Sequence, residues 1–313
     1  MRERSGLAGT KTSLSDLRGR AAGCPPIVGA CLRSPGVPLV WIHLVLAVFG
    51  GLAGVTTVLF GFGGGFVVVP LLYRVLLLAH GEHSDTGRAA MHIAVATSTC
   101  VMIASALLAT RRHQRAGTID WPLIRPLLGF IGLGAIVGAA AAVRADGEFV
   151  RLAFIVYLGV TLLDCLLRPG FIVRRAAATA AIAPLSRGIA TAGSFVIGLI
   201  AAFLGVGGSV MTVPLMRRRG IDMTRATAMA NPLSLPIALA GTATYMALAW
   251  RSGAALEGWH IGYVDLPAFA ALVAGSLLGV RAAAPLIGRL PDRVHAWGYL
   301  ALLVAVLLGM LLR

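Results

Sequence analysis

Long apolar runs alternate with short polar stretches over most of this chain. The runs cover 40–60, 89–110, 122–143, 149–167, 187–205, 223–250, 262–283 and 293–312. A bilayer core takes about 20 apolar residues per helix, so eight full membrane spans are expected. Two shorter apolar pieces, 65–79 and 208–216, directly follow glycine clusters. Each is too short to cross comfortably alone and reads as a half-helix or broken span. Residues 1–38 differ from the rest. MRERSGLAGTKTSLSDLRGR is basic and polar, and the prolines of CPPIVGACLRSPGVP break any helix. This stretch reads as a disordered basic tail, or as sequence ahead of a misassigned start. Its apolar part is too short and Pro-interrupted for a secretory signal.

The chain nearly repeats itself. GFGGGFVVVPLL at 61–72 matches GVGGSVMTVPLM at 205–216, AVATS at 94–98 matches AMANP at 228–232, and GTIDWP at 117–122 matches GYVDLP at 262–267. The pairs keep their order, and the shared G-x-G-G, the following proline and G-x-x-D-x-P are not apolar filler. The expected architecture is an all-α polytopic membrane protein of two homologous halves. Each half holds four full spans plus one short glycine-led helix: 39–168, then an inter-repeat loop at 169–186, then 187–313. Such repeats are the usual plan of secondary transporters, with the substrate site at the repeat interface.

Composition narrows the class. Apolar residues make up 58% and charged residues 12%, with a mean hydropathy of +0.87. Soluble domains carry roughly 25% charged residues, so a soluble enzyme, a nucleic-acid binder and a disordered chain are excluded. The net charge of +15 comes from basic residues set between apolar runs, which is membrane topology and not phosphate recognition. If each short piece completes a crossing, the halves are inverted. Loops 111–120, 168–187, 217–225 and 281–293, all arginine-bearing, then share one face. The positive-inside rule makes that face cytoplasmic. Parallel halves would move the second half's arginine loops to the other side. The inverted reading leaves the basic tail outside. Of the four cysteines, Cys24, Cys31, Cys100 and Cys165, none forms a C-x-x-C pair, and the two in spans read as small buried hydrophobes. No cofactor or metal is expected.

The glycine–proline segments carry the candidate chemistry. Glycines let the chain leave helical geometry inside the membrane and let a ligand approach the backbone. A helix starting there presents unpaired N–H groups and about half a positive charge, a natural anion site. Two copies in register would aim two such ends at one place, whereas a single copy would read as tight helix packing.

GFGGGFVVVP and GVGGSVMTVP, each followed by an A-x-A-T-S-like segment, resemble the TauE/SafE family of sulfite and organosulfonate exporters, also called toluene-sulfonate uptake permeases. The likeness covers about 40–313. It implies a multi-pass carrier of small anions in a bacterial inner membrane. By that likeness Gly61, Gly63, Gly64, Gly65 and Pro70 fill the first motif, and Gly205, Gly207, Gly208 and Pro214 the second. Thr97 and Ser98 keep the Thr-Ser pair. The second half departs, with Asn231-Pro232 in its place and Ser209 for the third motif glycine.

Among other polar residues, Asn231 is costly to bury and reads as functional, and Thr212 is a weaker candidate. Thr99, like Thr97 and Ser98, can satisfy itself on its own helix. His92 and His43 read as interfacial. Asp164 lies one turn from Arg168 and is expected to pair with it. Asp120 and Asp265, each two residues before a proline, read as helix-start residues. Apart from Asp164 no acid falls well inside a span, and no lysine or buried arginine offers a fixed counter-charge. An inside-negative potential drives a monoanion outward by about 2.3 kcal/mol per 100 mV, so export needs no coupling. The expected function is a uniporter or exporter of small anions such as sulfite or organosulfonates, bound at the paired breaks. The chain is not expected to be an enzyme. Its partners are a small anion, the lipid bilayer and a possible second copy of itself, with no nucleic acid. The alternative is a non-transporting membrane scaffold or accessory subunit. An intramembrane protease lacks its motifs here, and a cation carrier would want carboxylates in the spans.

Overall fold

The computed structural model describes residues 39–167, 171, 186, 188–252 and 259–311. The tail at 1–38, Cys24 and Cys31 in it, and most of the loop at 169–186 lie outside them.

The described chain is helical almost throughout. Its helices are α1 (Leu39–Phe60), α2 (Gly65–His80), the single turn α3 (Asp85–Arg88), α4 (Ala90–Arg115), α5 (Trp121–Arg144) and α6 (Gly147–Leu167). A π-helical turn, Ile189–Gly193, leads into α7 (Ser194–Leu204). Then follow α8 (Ser209–Arg218), α9 (Met223–Ser252), α10 (Leu266–Ala283) and α11 (Asp292–Leu311). A two-residue antiparallel pair, β1 (His260–Ile261) and β2 (Val264–Asp265), precedes α10. The fold is therefore an all-α polytopic membrane protein, with both short glycine-led helices where the hydropathy put them.

One expected span falls short. Among the described residues seven helices are long and apolar enough to cross a bilayer, whereas the run at 187–205 appears there only as a shorter apolar helix, Ala190–Leu204. Gly205, in the left-handed region at φ 69, ends it. Among the described residues the second half thus has three long spans and not the expected four.

Helix boundaries follow local chemistry. Asp265 caps α10 by accepting from the Ala268 amide at 3.0 Å, with Pro267 in the first turn. Asp120 sits at the same place before α5 without accepting a bond. Outward faces are apolar: Val156, Val160 and Leu163 form an exposed stripe along α6, tolerable only against lipid. Trp250, near the end of α9, and Trp259, just before β1, are both exposed, as residues of an aromatic belt would be.

The helices pair across the two halves. A Cβ placed on Gly50 would lie 2.4 Å from Leu272 O, and one on Gly54 2.2 Å from Ser276 O. The reverse contacts are Gly275 to Ala47 O at 1.9 Å and Gly279 to Gly51 O at 2.0 Å. Residue numbers climb together, so α1 and α10 run parallel with their backbones touching, as small residues permit. The reciprocal pair is α5 with α7, where Gly134 meets Phe195 O, Gly138 meets Leu199 O and Gly198 meets Ile131 O, all at 2.0 Å. The first helix of each half is thus clasped by a helix of the other, α1 by α10 and α7 by α5. Between these pairs α4 packs on α9. Thr99 lies against Gly241, while Met102 and Ser234 both meet Gly63, so α4 and α9 run antiparallel.

Candidate functional site

Both glycine breaks interrupt helices inside the protein. Gly61, Gly63 and Gly64 have φ of 76, 66 and 86, a region that only glycine enters without strain. Gly205 does the same at φ 69, whereas Gly207, Gly208 and Ser209 stay right-handed. Ser209 therefore needs no glycine at its position. All residues from Gly61 to Phe66 and from Gly205 to Val210 are buried.

The two breaks touch. A Cβ on Gly65 would lie 2.5 Å from Gly205 O, and one on Gly207 2.9 Å from Phe62 O. Each break also seats on the long central helix of the other half. Gly61 packs against Thr227 and Ala230 of α9, and Gly205 against Val95 and Ser98 of α4. Gly63 meets Met102 and Ser234, each near the middle of its own span.

Side chains serve several carbonyls around the breaks, and several amides there stay unmet. Carbonyls along the broken segments are served by side chains. Ser105 Oγ donates to Gly63 O at 2.6 Å and Ser98 Oγ to Gly205 O at 3.1 Å. Tyr299 Oη donates to Ser209 O at 3.3 Å and Tyr245 Oη to Ala202 O at 2.9 Å. His113 Nε2 reaches Val58 O at 2.8 Å, and His295 Nε2 reaches Leu59 O. The amides fare differently. Among the described residues, those of Gly63, Gly64, Gly65, Gly207, Gly208 and Ser209 donate to no protein acceptor. Ser209 Oγ is also buried without a partner. The centre therefore carries several unmet donors in a buried setting, where an unmet donor is costly.

The side chains named from the sequence divide. Ser98 touches the second break directly. Asn231 lies on the face of α9 that carries Thr227, Ala230 and Ser234 toward the breaks. Its Nδ2 reaches Thr227 O at a long 3.4 Å and its Oδ1 has no partner. Thr212 Oγ1 donates to Gly208 O at 2.9 Å, one helical turn back, and so closes on its own helix. Thr97 turns away, its Oγ1 accepting from the Asp265 amide at 3.0 Å, so it pins β2 to α4 and stands apart from the breaks. Pro70 and Pro214 are buried inside α2 and α8, five residues past Gly65 and Ser209. Lacking an N–H, each leaves a carbonyl of its first turn free.

Several participants escaped the sequence reading. Ser105 sits two turns beyond Ser98 on one face of α4, a spacing that could have been noticed. Tyr245, Tyr299, His113 and His295 carry no local signal. Phe62 stacks on Phe66 with centroids 4.3 Å apart and on Tyr299 at 4.8 Å, walling the first break with rings.

Two electrostatic expectations need correction. Arg217 is not a loop residue but is buried at the end of α8, its side chain 0% exposed. It pairs with Asp292 Oδ2 at 2.9 Å and donates to Phe171 O at 2.6 Å and Ile221 O at 3.2 Å. A buried arginine is thus present, though fully occupied. Asp164 pairs with Arg218 from α8. Arg168, its expected partner, lies outside the described residues. His92, half-buried, bonds the carbonyls of Ala142 and Ala145 at 3.1 and 3.0 Å, an end-of-helix role. Among the described residues no group of His, Cys, Asp and Glu could hold a metal ion.

The family model for the sulfite exporter TauE/SafE matches residues 46–310. The chain is also similar to a "Probable membrane transporter protein" of Haemophilus influenzae, at 27% identity over 273 residues, 86% of this chain and 98% of that one. No solved structure matches it.

Proposed function

The chain belongs to the sulfite exporter TauE/SafE family of membrane proteins, and from that membership we propose that it carries small anions bound between the two glycine breaks. Sulfite is the substrate the family description names, and organosulfonates are the related anions that the likeness of the glycine–proline motifs implies. The observation that carries the reading is the unmet donors: the amides of Gly63–Gly65 and Gly207–Ser209 bond no protein acceptor, Ser209 Oγ is spare, and side chains already serve the carbonyls of Gly63, Gly205 and Ser209. A sulfur oxyanion has acceptor oxygens and no competing donors, which is what such a centre lacks. Thr97 has no part in this site, and Asn231 contributes its free Oδ1 to a substrate proton or a bound water.

Export follows from charge alone. Among the described residues no carboxylate is among the nearest neighbours of the break glycines, so no acid-based proton or Na⁺ relay is built there. An inside-negative potential supplies about 2.3 kcal/mol per charge per 100 mV. The protein therefore works as a uniporter in a bacterial inner membrane, and the buried centre is an occluded state that opens by relative movement of the halves. The antiparallel α4 and α9, with each break seated on the opposite central helix, support inverted halves. Cysteines introduced at 217–225 and 111–120 should label from the same, cytoplasmic face.

Flux of sulfite from proteoliposomes tests the reading. Wild-type protein should respond to the membrane potential, and Gly64→Leu and Gly208→Leu should each abolish flux. A scaffold would keep its partner binding in both variants. Proton-dependent flux with the potential clamped at zero would overturn uniport.

A further inference from the structure

We propose that a groove at the arginine-bearing end of α4 binds the phosphate headgroup of an anionic phospholipid. Arg112, Arg115 and Ala116 form one wall, and Ala284, Pro285 and Ile287, in the turn after α10, form the other. Together they line an open groove of about 380 Å³. Arg112 Nε is buried behind it without a partner. Among the described residues no acid or carbonyl bonds either guanidinium. The dipole of α4 accounts for positive charge at its C-terminus. It does not account for a guanidinium nitrogen withdrawn from water and left unmet, a costly arrangement unless something supplies an acceptor.

A phosphate does so. Two arginines one turn apart on α4 offer planar forks matched to phosphate oxygens. The opposite wall decides which phosphate. Ala284, Pro285 and Ile287 present no polar side chain, and Ile287 is continuous with the apolar cluster of Val58, Ala109, Val280 and Ala283. A free ion would leave that wall bare, whereas a lipid puts its headgroup on the arginines and its glycerol and upper acyl chain along the wall. Leu286, 43% exposed beside the groove, continues this apolar edge. The site is separate from the glycine breaks and does not depend on what they carry.

Native mass spectrometry of the full chain in detergent, with phosphatidylglycerol, phosphatidylcholine or inorganic phosphate added, tests this. Phosphatidylglycerol should be retained over phosphatidylcholine, and excess phosphate should not displace it. The double variant R112Q/R115Q should retain about tenfold less, a loss on the scale of the lipid attraction of one or two basic side chains. Arg225→Gln, an exposed arginine on α9, should change little. Thermal unfolding in phosphatidylcholine micelles checks that the double variant is folded. If it is not, Arg115→Gln alone, an exposed position, should still lower retention several-fold. Undiminished phosphatidylglycerol binding by folded R112Q/R115Q would refute the proposal. Equal retention of both lipids would also refute it, and full displacement by phosphate would identify a free-anion site instead.

Discussion

Gly65→Ala puts the contact between the two breaks to the test with a single methyl group. Gly65 has an ordinary helical φ, so alanine is not strained by its own backbone, and the helix would gain about 1 kcal/mol from propensity alone. The new Cβ, however, would stand 2.5 Å from Gly205 O, a backbone atom that cannot rotate aside. Ordinary contact begins at 3.4 Å, so the breaks must part by about 0.9 Å. Overpacking of that kind costs about 1–3 kcal/mol, which exceeds the propensity gain. An anion held from both sides then keeps the bonds of one break and loses those of the other. Two charge-assisted bonds at about 1.5 kcal/mol each correspond to roughly 100-fold in affinity. Sulfite flux at graded concentration reads the affinity, and thermal unfolding reads the stability. Gly129→Ala is the control, since a Cβ there meets nothing within 4 Å on an exposed face of α5. If Gly65→Ala is folded and transports with wild-type apparent affinity, the breaks do not share a ligand.

Other outcomes follow from the same geometry. Ser209→Ala removes a buried hydroxyl that lacks a partner, so stability should rise by about 1 kcal/mol while apparent affinity falls, opposite signs in the melting and flux assays. Arg217→Leu strands Asp292 and two carbonyls, and should cost about 3 kcal/mol, seen as a lower melting temperature and poor yield. Asp292→Asn should cost less, because the group is one-third exposed and an amide oxygen can still accept from the Met223 amide. Gly54→Leu and Gly138→Leu should each prevent accumulation of folded protein, because both positions lie against backbone carbonyls of the partner helix in a cross-half pair.

Hydropathy, glycine and proline were enough to place the helices, apart from the run at 187–205, since a backbone in lipid has few ways to satisfy itself and each departure needs a marked residue. The doubled G-x-G-G likewise announced two breaks, and G-x-x-D-x-P announced two helix starts, one of which, at Asp265, uses its cap. These are local matters: chain length, left-handed φ and a missing N–H belong to the residue itself. What each polar side chain does was another matter. Thr97 and Ser98 are neighbours in the chain, yet a rotation of about 100° between them on α4 sends one to the Asp265 amide and the other to Gly205 O. Arg217 reads as a loop cation until folding brings up Asp292, 75 positions away, and takes it out of water. The clasp of α1 by α10 and of α5 by α7 had no local sign beyond small residues, because glycine permits a close approach without naming the partner. Only packing determines which helix arrives, and so which carbonyls are served and which amides are left over.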